Sequence, residues 1–376
     1  MKVVYTVYHD CNKEERSKEI LTCCEILGEV HFVSYAEPNE YNKRSTKIHL
    51  IDKKSPIALL HFIFKAKQVI KKEMPDIVVL HDCDCSVLLP YVKKVSPHSK
   101  IVYDSSELEI PMKNTKPYRR NNGILIRIKS ALTAFRVRYE KKYLKLSDVV
   151  IAANIERAKI MKDYFGLKSI PIVFDNMHKI KDDYELSECD KKYGFLSADG
   201  KFNILFAGGI DEERQTFDFV NAVLSLNDSF RLIVVGSASA VAIKKFNNII
   251  RNSNAENKIV YLGMVPRREL KYLIQHSQTS VVVFDKNSYN TLYCASGKLY
   301  ESLFEGCPIL CSENPPLKRI CESCGVGVST DNFSMGIEKI KNNYDIYRLN
   351  VDKYISNLKY DERVSILTDL IRREIL

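Results

Sequence analysis

The chain has 376 residues, 45% hydrophobic and 28% charged, which is too long for one ordinary core and too apolar for a disordered chain, so two globular domains are expected. Its longest apolar run, Ile57 to Phe64, is broken by His61 and falls far short of the roughly 20 residues that a membrane span needs. Eleven cysteines, an odd number placed largely in apolar runs, suit reduced thiols better than a disulfide framework, and the N-terminus enters a strand pattern with no signal-peptide features, so a cytosolic protein is expected.

In chain order, short β-branched runs predict strands at 3–8, 29–34, 77–80, 101–103, 149–152 and 172–174, with helical patterns at 14–27, 57–72 and 125–146 between them. The last places Leu125, Ile128, Leu132, Phe135, Tyr139 and Leu146 on one face. A polar stretch, 179–185, follows, and the alternation restarts with strands at 203–207, 231–235, 259–262, 280–284, 308–311 and 327–329 and helices after Gly209, Gly236, Pro266 and Gly297. Strict alternation means parallel sheets covered by helices. The fold class expected is α/β, with two doubly wound Rossmann-like domains, 1–178 and 179–355, facing across a cleft, and a helical tail, about residues 356–376, as a candidate to return to the first. Ligands of such sheets bind beyond the carboxyl ends of the strands.

The net charge of +10 is concentrated: the segment 113–145 holds eleven Lys or Arg against Glu140 alone. Such a patch suits an anionic membrane surface, with a solvated helix face and nucleic acid as the other readings. Cys307, Cys311, Cys321 and Cys324 could in principle hold zinc, but the first two flank an apolar strand, so core packing is expected.

Two places carry candidate chemistry in the second half. Gly208-Gly209 after a strand, before Asp211-Glu212-Glu213-Arg214, lets backbone N–H groups approach a phosphate, although a tight connection alone would also explain it. Ser296-Gly297 opens a helix in which Lys298 and Glu301, three apart, share a face. An ammonium and free N–H groups there suit a diphosphate and a carboxylate suits sugar hydroxyls; a solvated ion pair is the plain alternative. In the first half, His81 ends a strand, and Asp82-Cys83-Asp84 is formally a DxD.

From Asn203 to Gly327 the order Gly208-Gly209, Val235-Gly236-Ser237, Leu262-Gly263-Met264-Val265-Pro266, Arg268-Glu269-Leu270, Lys298-Leu299-Tyr300-Glu301, Gly306-Cys307-Pro308 and Gly325-Val326-Gly327 resembles the retaining family-four (group 1) glycosyltransferases, which have the GT-B fold. The first half resembles their acceptor domain through His81-Asp82, Tyr103-Asp104-Ser105-Ser106-Glu107 and Asp148 to Asn154. The resemblance implies transfer of a hexose-type sugar from a UDP- or GDP-sugar to a hydroxyl, best guessed as that of a lipid-linked glycan in cell-surface polysaccharide assembly, by a protein peripheral on the inner face of the membrane. It implies no cofactor beyond the donor substrate and no metal. Glu301 matches the second glutamate of the E-x7-E motif, while Tyr293 stands where many members have the first.

Lys298 and Arg214 are the implied catalytic cations, with His81 as a proton-transfer candidate. Gly208, Gly209, Gly236, Val265, Pro266, Tyr293, Ser296, Gly297, Leu299 and Glu301 are implied to line the donor, and Asp82, Ser106 and Glu107 the acceptor. Ser106 replaces the histidine that relatives often have, and no serine can act as an imidazole at neutral pH. A GT-B-shaped UDP-sugar epimerase and a catalytically silent nucleotide-sugar or nucleic-acid binder are the rival readings.

Overall fold

The computed structural model describes residues 1–52, 57–112 and 124–375, the side chains of 124–133 excepted. The chain divides into two compact units, one of residues 1–176 with 359–376 and one of residues 177–358. Arg119 and Arg120 lie outside the described residues, as do the side chains of Arg127 and Lys129.

The first unit is built on a seven-stranded parallel sheet: β1 (Lys2–Thr6), β2 (Glu29–Ser34), β3 (Thr46–Leu50), β4 (Ile77–His81), β5 (Lys100–Ser105), β6 (Val149–Ala152) and β7 (Ile172–Val173), in the order β3-β2-β1-β4-β5-β6-β7. The central strands are apolar in nearly every position because helices cover both faces. β3 was not expected. It is the edge strand, only Thr46 of it is buried, and an edge needs no apolar run. The closing helix, Arg363–Ile375, sets Leu367, Ile371 and Ile375 into the core beside Ile20, Leu27 and Phe174. Arg363 reinforces it, 3.2 Å from Glu19 and stacked on the Phe174 ring.

The second unit repeats the walk with six parallel strands: β8 (Phe202–Ala207), β9 (Phe230–Val235), β10 (Ile259–Gly263), β11 (Thr279–Val282), β12 (Ile309–Cys311) and β13 (Gly327–Ser329), ordered β10-β9-β8-β11-β12-β13. In each unit the strand order reverses beside the first strand, between β1 and β4 and between β8 and β11. Ligands of open α/β sheets bind beyond the strand ends at that point. The residues close to those ends are His9, His81 and Asp82 in one unit and Gly208, Gly209 and Phe284 in the other.

The helix read at 125–146 spans Ile124–Tyr143 and tightens into a 3-10 turn, Leu144–Leu146. Over its described side chains, from Ala134 onward, the inward face differs from the one expected. Val137, Glu140 and Leu144 are buried, whereas Phe135 is 55% exposed. A glutamate occupies the core side because the Tyr103 hydroxyl donates to Glu140 Oε1 at 2.6 Å, so the apolar pattern was interrupted where a polar pair replaces it. All eleven cysteines are free thiols; Cys311 and Cys321 touch at 3.2 Å between sulfurs, but Cys307 turns its thiol toward the Ser277 carbonyl, so the four do not converge on a zinc site.

Candidate active site

In the second unit the Gly-Gly turn beyond β8 sits directly under two cations. A Cβ at Gly208 would stand 2.8 Å from Lys298 Nζ and 3.3 Å from Arg214 Cδ, and one at Gly209 would meet Asp211 Oδ2 at 2.8 Å. Neither glycine tolerates a side chain without displacing a charged group. Gly236, at φ +146°, brings the turn after β9 so close that a Cβ there would overlap the Gly208 carbonyl oxygen. Three successive close approaches therefore shape one floor.

Arg214 is fixed from both ends: its backbone N–H donates to Asp211 Oδ1 at 2.8 Å, and its guanidinium lies over the Phe284 ring, 5.1 Å from the centroid, beyond β11. Neither Arg214 nor Lys298 forms an ion pair with a carboxylate among the described residues. Burial, and then the Arg214 charge beside it, push the Lys298 ammonium down to about 8, with Glu301 and Asp211 only partly offsetting them. Two close, unneutralised cations on a glycine turn repel each other, and an anion between them relieves that repulsion.

Lys298 and Glu301 lie in the helix Gly297–Phe304. Ser296 occupies the N-cap position but its side chain accepts no capping bond, which leaves the first N–H groups to another acceptor. Glu301 is buried and accepts from Arg267 Nη2 at 2.8 Å. Through this pair the Val265-Pro266 loop, which leads into the helix Arg267–Gln275, is tied to the Lys298 helix. Sequence reasoning missed Arg267, although its place just after Pro266 was a usable signal. His178 was missed as well; its ring fills the space where a Gly297 side chain would be, so glycine is required there for packing. Leu299 needs a correction: its side chain is in the core with Tyr300 and Leu303, and only its backbone can face a ligand. Tyr293 stacks parallel to Tyr289 at 5.9 Å.

In the first unit a dense polar cluster occupies the ends of β1, β4 and β5. Arg16, fully buried, donates to Asp104 through Nε at 3.0 Å and through Nη2. Asp104 Oδ2 is 2.8 Å from His81 Nδ1, and His81 Nε2 is 3.3 Å from both Glu14 Oε2 and Asp82 Oδ2. Burial opposes charge on His81, yet Asp82 and Glu14, with the hydrogen bond to Asp104, hold it well above its ordinary value. The His81 side chain is itself fully buried, enclosed by the carboxylates of Glu14, Asp82 and Asp104, and organises these neighbours.

Asp82, strained at φ +58°, accepts from the Ser106 and Glu107 N–H groups at 2.7 and 3.1 Å and from the Ser106 hydroxyl at 2.6 Å. Ser106 thus anchors Asp82. The formal DxD is split, since Asp84 pairs with Arg136. His9 and Glu14, partly exposed, form the outer edge of the cluster, and neither was singled out by motif; the position of His9 just after the first strand was the available signal.

No family model matches the sequence. An uncharacterized glycosyltransferase of Methanocaldococcus jannaschii, MJ1059, is 23% identical over 310 residues, 77% of this chain and 67% of its own. Anabaena HepE, solved in complex with UDP, superposes with a TM-score of 0.70 at 12% identity, covering 99% of both chains. Sucrose-phosphate synthase of Thermosynechococcus elongatus gives 0.73 at 13% identity over 99% of this chain and 98% of its own. The fold is that of the GT-B glycosyltransferases. Each unit of this GT-B chain has a switch point in its strand order, and in the second Lys298 and Arg214 stand beside it.

Proposed function

We propose that the protein is a retaining family-four glycosyltransferase, in which the second unit holds a UDP- or GDP-sugar and the first presents a hydroxyl acceptor. The observation that carries this reading is the pair Lys298 and Arg214, unneutralised and poised over Gly208-Gly209 beside an uncapped helix start. Such a floor stabilises charge that grows on a departing diphosphate, and it does so with cations and N–H groups in place of a divalent ion. Glu301, oriented by Arg267, suits the ribose hydroxyls, and Val265-Pro266 the base. HepE in complex with UDP supports the nucleotide, and the motif order supports family four and retention.

The acceptor we infer is a lipid-linked glycan of cell-surface polysaccharide assembly, met at the inner face of the membrane. No described helix is long and apolar enough to cross a membrane. Support for surface attachment comes from Leu60 and Phe64, 62% and 64% exposed on the lysine-rich helix Ala58–Glu73, and from exposed Phe135 beside Arg138 and Lys142.

The test is nucleotide release from a panel of UDP- and GDP-sugars, with and without a membrane glycolipid extract and with no added divalent ion. Release with one donor, dependent on the extract and yielding a product of unchanged anomeric configuration, is expected. Conversion of a UDP-sugar without acceptor would replace this reading by the epimerase, and silence towards every donor would leave only a binding protein.

A further inference from the structure

We infer that His9, Glu14 and His81 form a site for one divalent transition ion of the zinc type, in the first unit and separate from the donor floor. Their ligand atoms lie within 4.8 Å of one another. Two ligands bound at about 2.0–2.1 Å to a tetrahedral ion stand about 3.3–3.4 Å apart. His81 Nε2 and Glu14 Oε2 are 3.3 Å apart, and His9 Nε2, at 2.5 Å from the same oxygen, needs to withdraw by less than 1 Å.

A second observation comes from the His81 imidazole. It is fully buried, and its Nε2, 3.3 Å from Glu14 and from Asp82 but in hydrogen-bond geometry with neither, points into the space shared with Glu14 and His9. Behind it stands the outer support that metal-bound histidines have: Asp104 at 2.8 Å from Nδ1, itself held by Arg16. Asp82, Asp104 and Glu14 bring three carboxylates against the single guanidinium of Arg16. A dication offsets that excess of negative charge.

His9 and Glu14 are partly exposed, so the ion would keep a fourth position open to water or to an acceptor hydroxyl, as catalytic rather than structural sites do. This departs from the expectation that the protein holds no metal, which was framed for the donor diphosphate and the Asp82-Cys83-Asp84 motif.

The experiment titrates the untagged full chain, stripped by chelator, with Zn²⁺ by calorimetry and with Co²⁺ by visible absorption. One ion per chain is expected, with the strong visible bands of a four-coordinate Co²⁺ centre and no sulfur charge-transfer band. His9→Ala and Glu14→Gln should each weaken binding at least ten-fold while the far-ultraviolet circular dichroism of the metal-free protein and its UDP affinity stay as in the wild type, which separates this site from the donor reading. No tight binding by the wild type, binding by both variants at wild-type strength, or a sulfur charge-transfer band that survives in both would overturn the assignment.

Discussion

At the residue scale, Lys298 links burial to function. Its ammonium loses its proton as pH rises through about 8 in the free protein, and a bound diphosphate holds the proton on, so nucleotide affinity is expected to be level below that pH and to fall above it. The fall is at most about ten-fold per pH unit. Lys298→Arg keeps its charge throughout and should flatten the profile, which calorimetry of UDP binding between pH 6.5 and 9.5 would check. A profile unchanged by the substitution would assign the titration elsewhere. Arg16 illustrates the opposite case, a charge that holds the fold. Arg16→Met leaves Asp104 buried without its guanidinium, and a loss of about 3–5 kcal/mol in urea unfolding is expected. In the sequence Arg16 sits in Glu14-Glu15-Arg16, which looks like any solvated helix start; nothing local announces that Asp104, far along the chain, needs it.

At the scale of elements, the strands and glycine turns were readable because each obeys a local rule. Buried parallel strands need apolar runs, and the Gly208 and Gly236 turns admit no Cβ. The helix Ile124–Tyr143 shows where that rule stops: its inward face includes Glu140, so the apolar stripe pointed to exposed Phe135 in its place. Burial lifts Glu140 to about 8, with Asp82 and Glu109 adding to it against the Tyr103 hydrogen bond. Because this folded value lies above the unfolded one of about 4.3, the protonated carboxyl contributes stability that is complete below pH 4 or so and is lost as pH rises towards 8. Glu140→Gln keeps the shape without the proton. It should match the wild type near pH 4 and exceed it by up to about 4 kcal/mol at pH 8, as measured by urea unfolding. Equal stability of the two proteins at both pH values would contradict the buried, protonated carboxyl.

At the scale of the whole molecule, the chain uses one topology twice and assigns the two switch points different chemistry: carboxylates and histidines at the first, unneutralised cations at the second. The fold class was legible because the strand and helix periods alternate along the entire length, and the second switch point because its residues lie within short motifs. Of the first, His81-Asp82 and Ser106-Glu107 were readable but His9, Glu14 and Arg16 were not, since these meet His81 and Asp104 only through the sheet. For the membrane, each Lys or Arg near an anionic surface contributes about 1 kcal/mol, so Arg138→Glu with Lys142→Glu should reduce co-sedimentation with phosphatidylglycerol vesicles several-fold at low salt. Phosphatidylcholine vesicles should pellet little protein, and equal pelleting by both vesicle types would remove the electrostatic attachment.

The central claim is that the cationic floor of the second unit binds the diphosphate of a nucleotide sugar, and calorimetry of UDP and GDP binding to the wild type, Lys298→Ala and Glu301→Gln tests it most directly. One of the two nucleotides should bind the wild type, and each substitution removes a charge-assisted contact of about 1.5–3 kcal/mol, weakening binding about 10- to 100-fold with the urea midpoint little changed. Wild-type affinity in both variants, or no affinity of the wild type for either nucleotide, would contradict it.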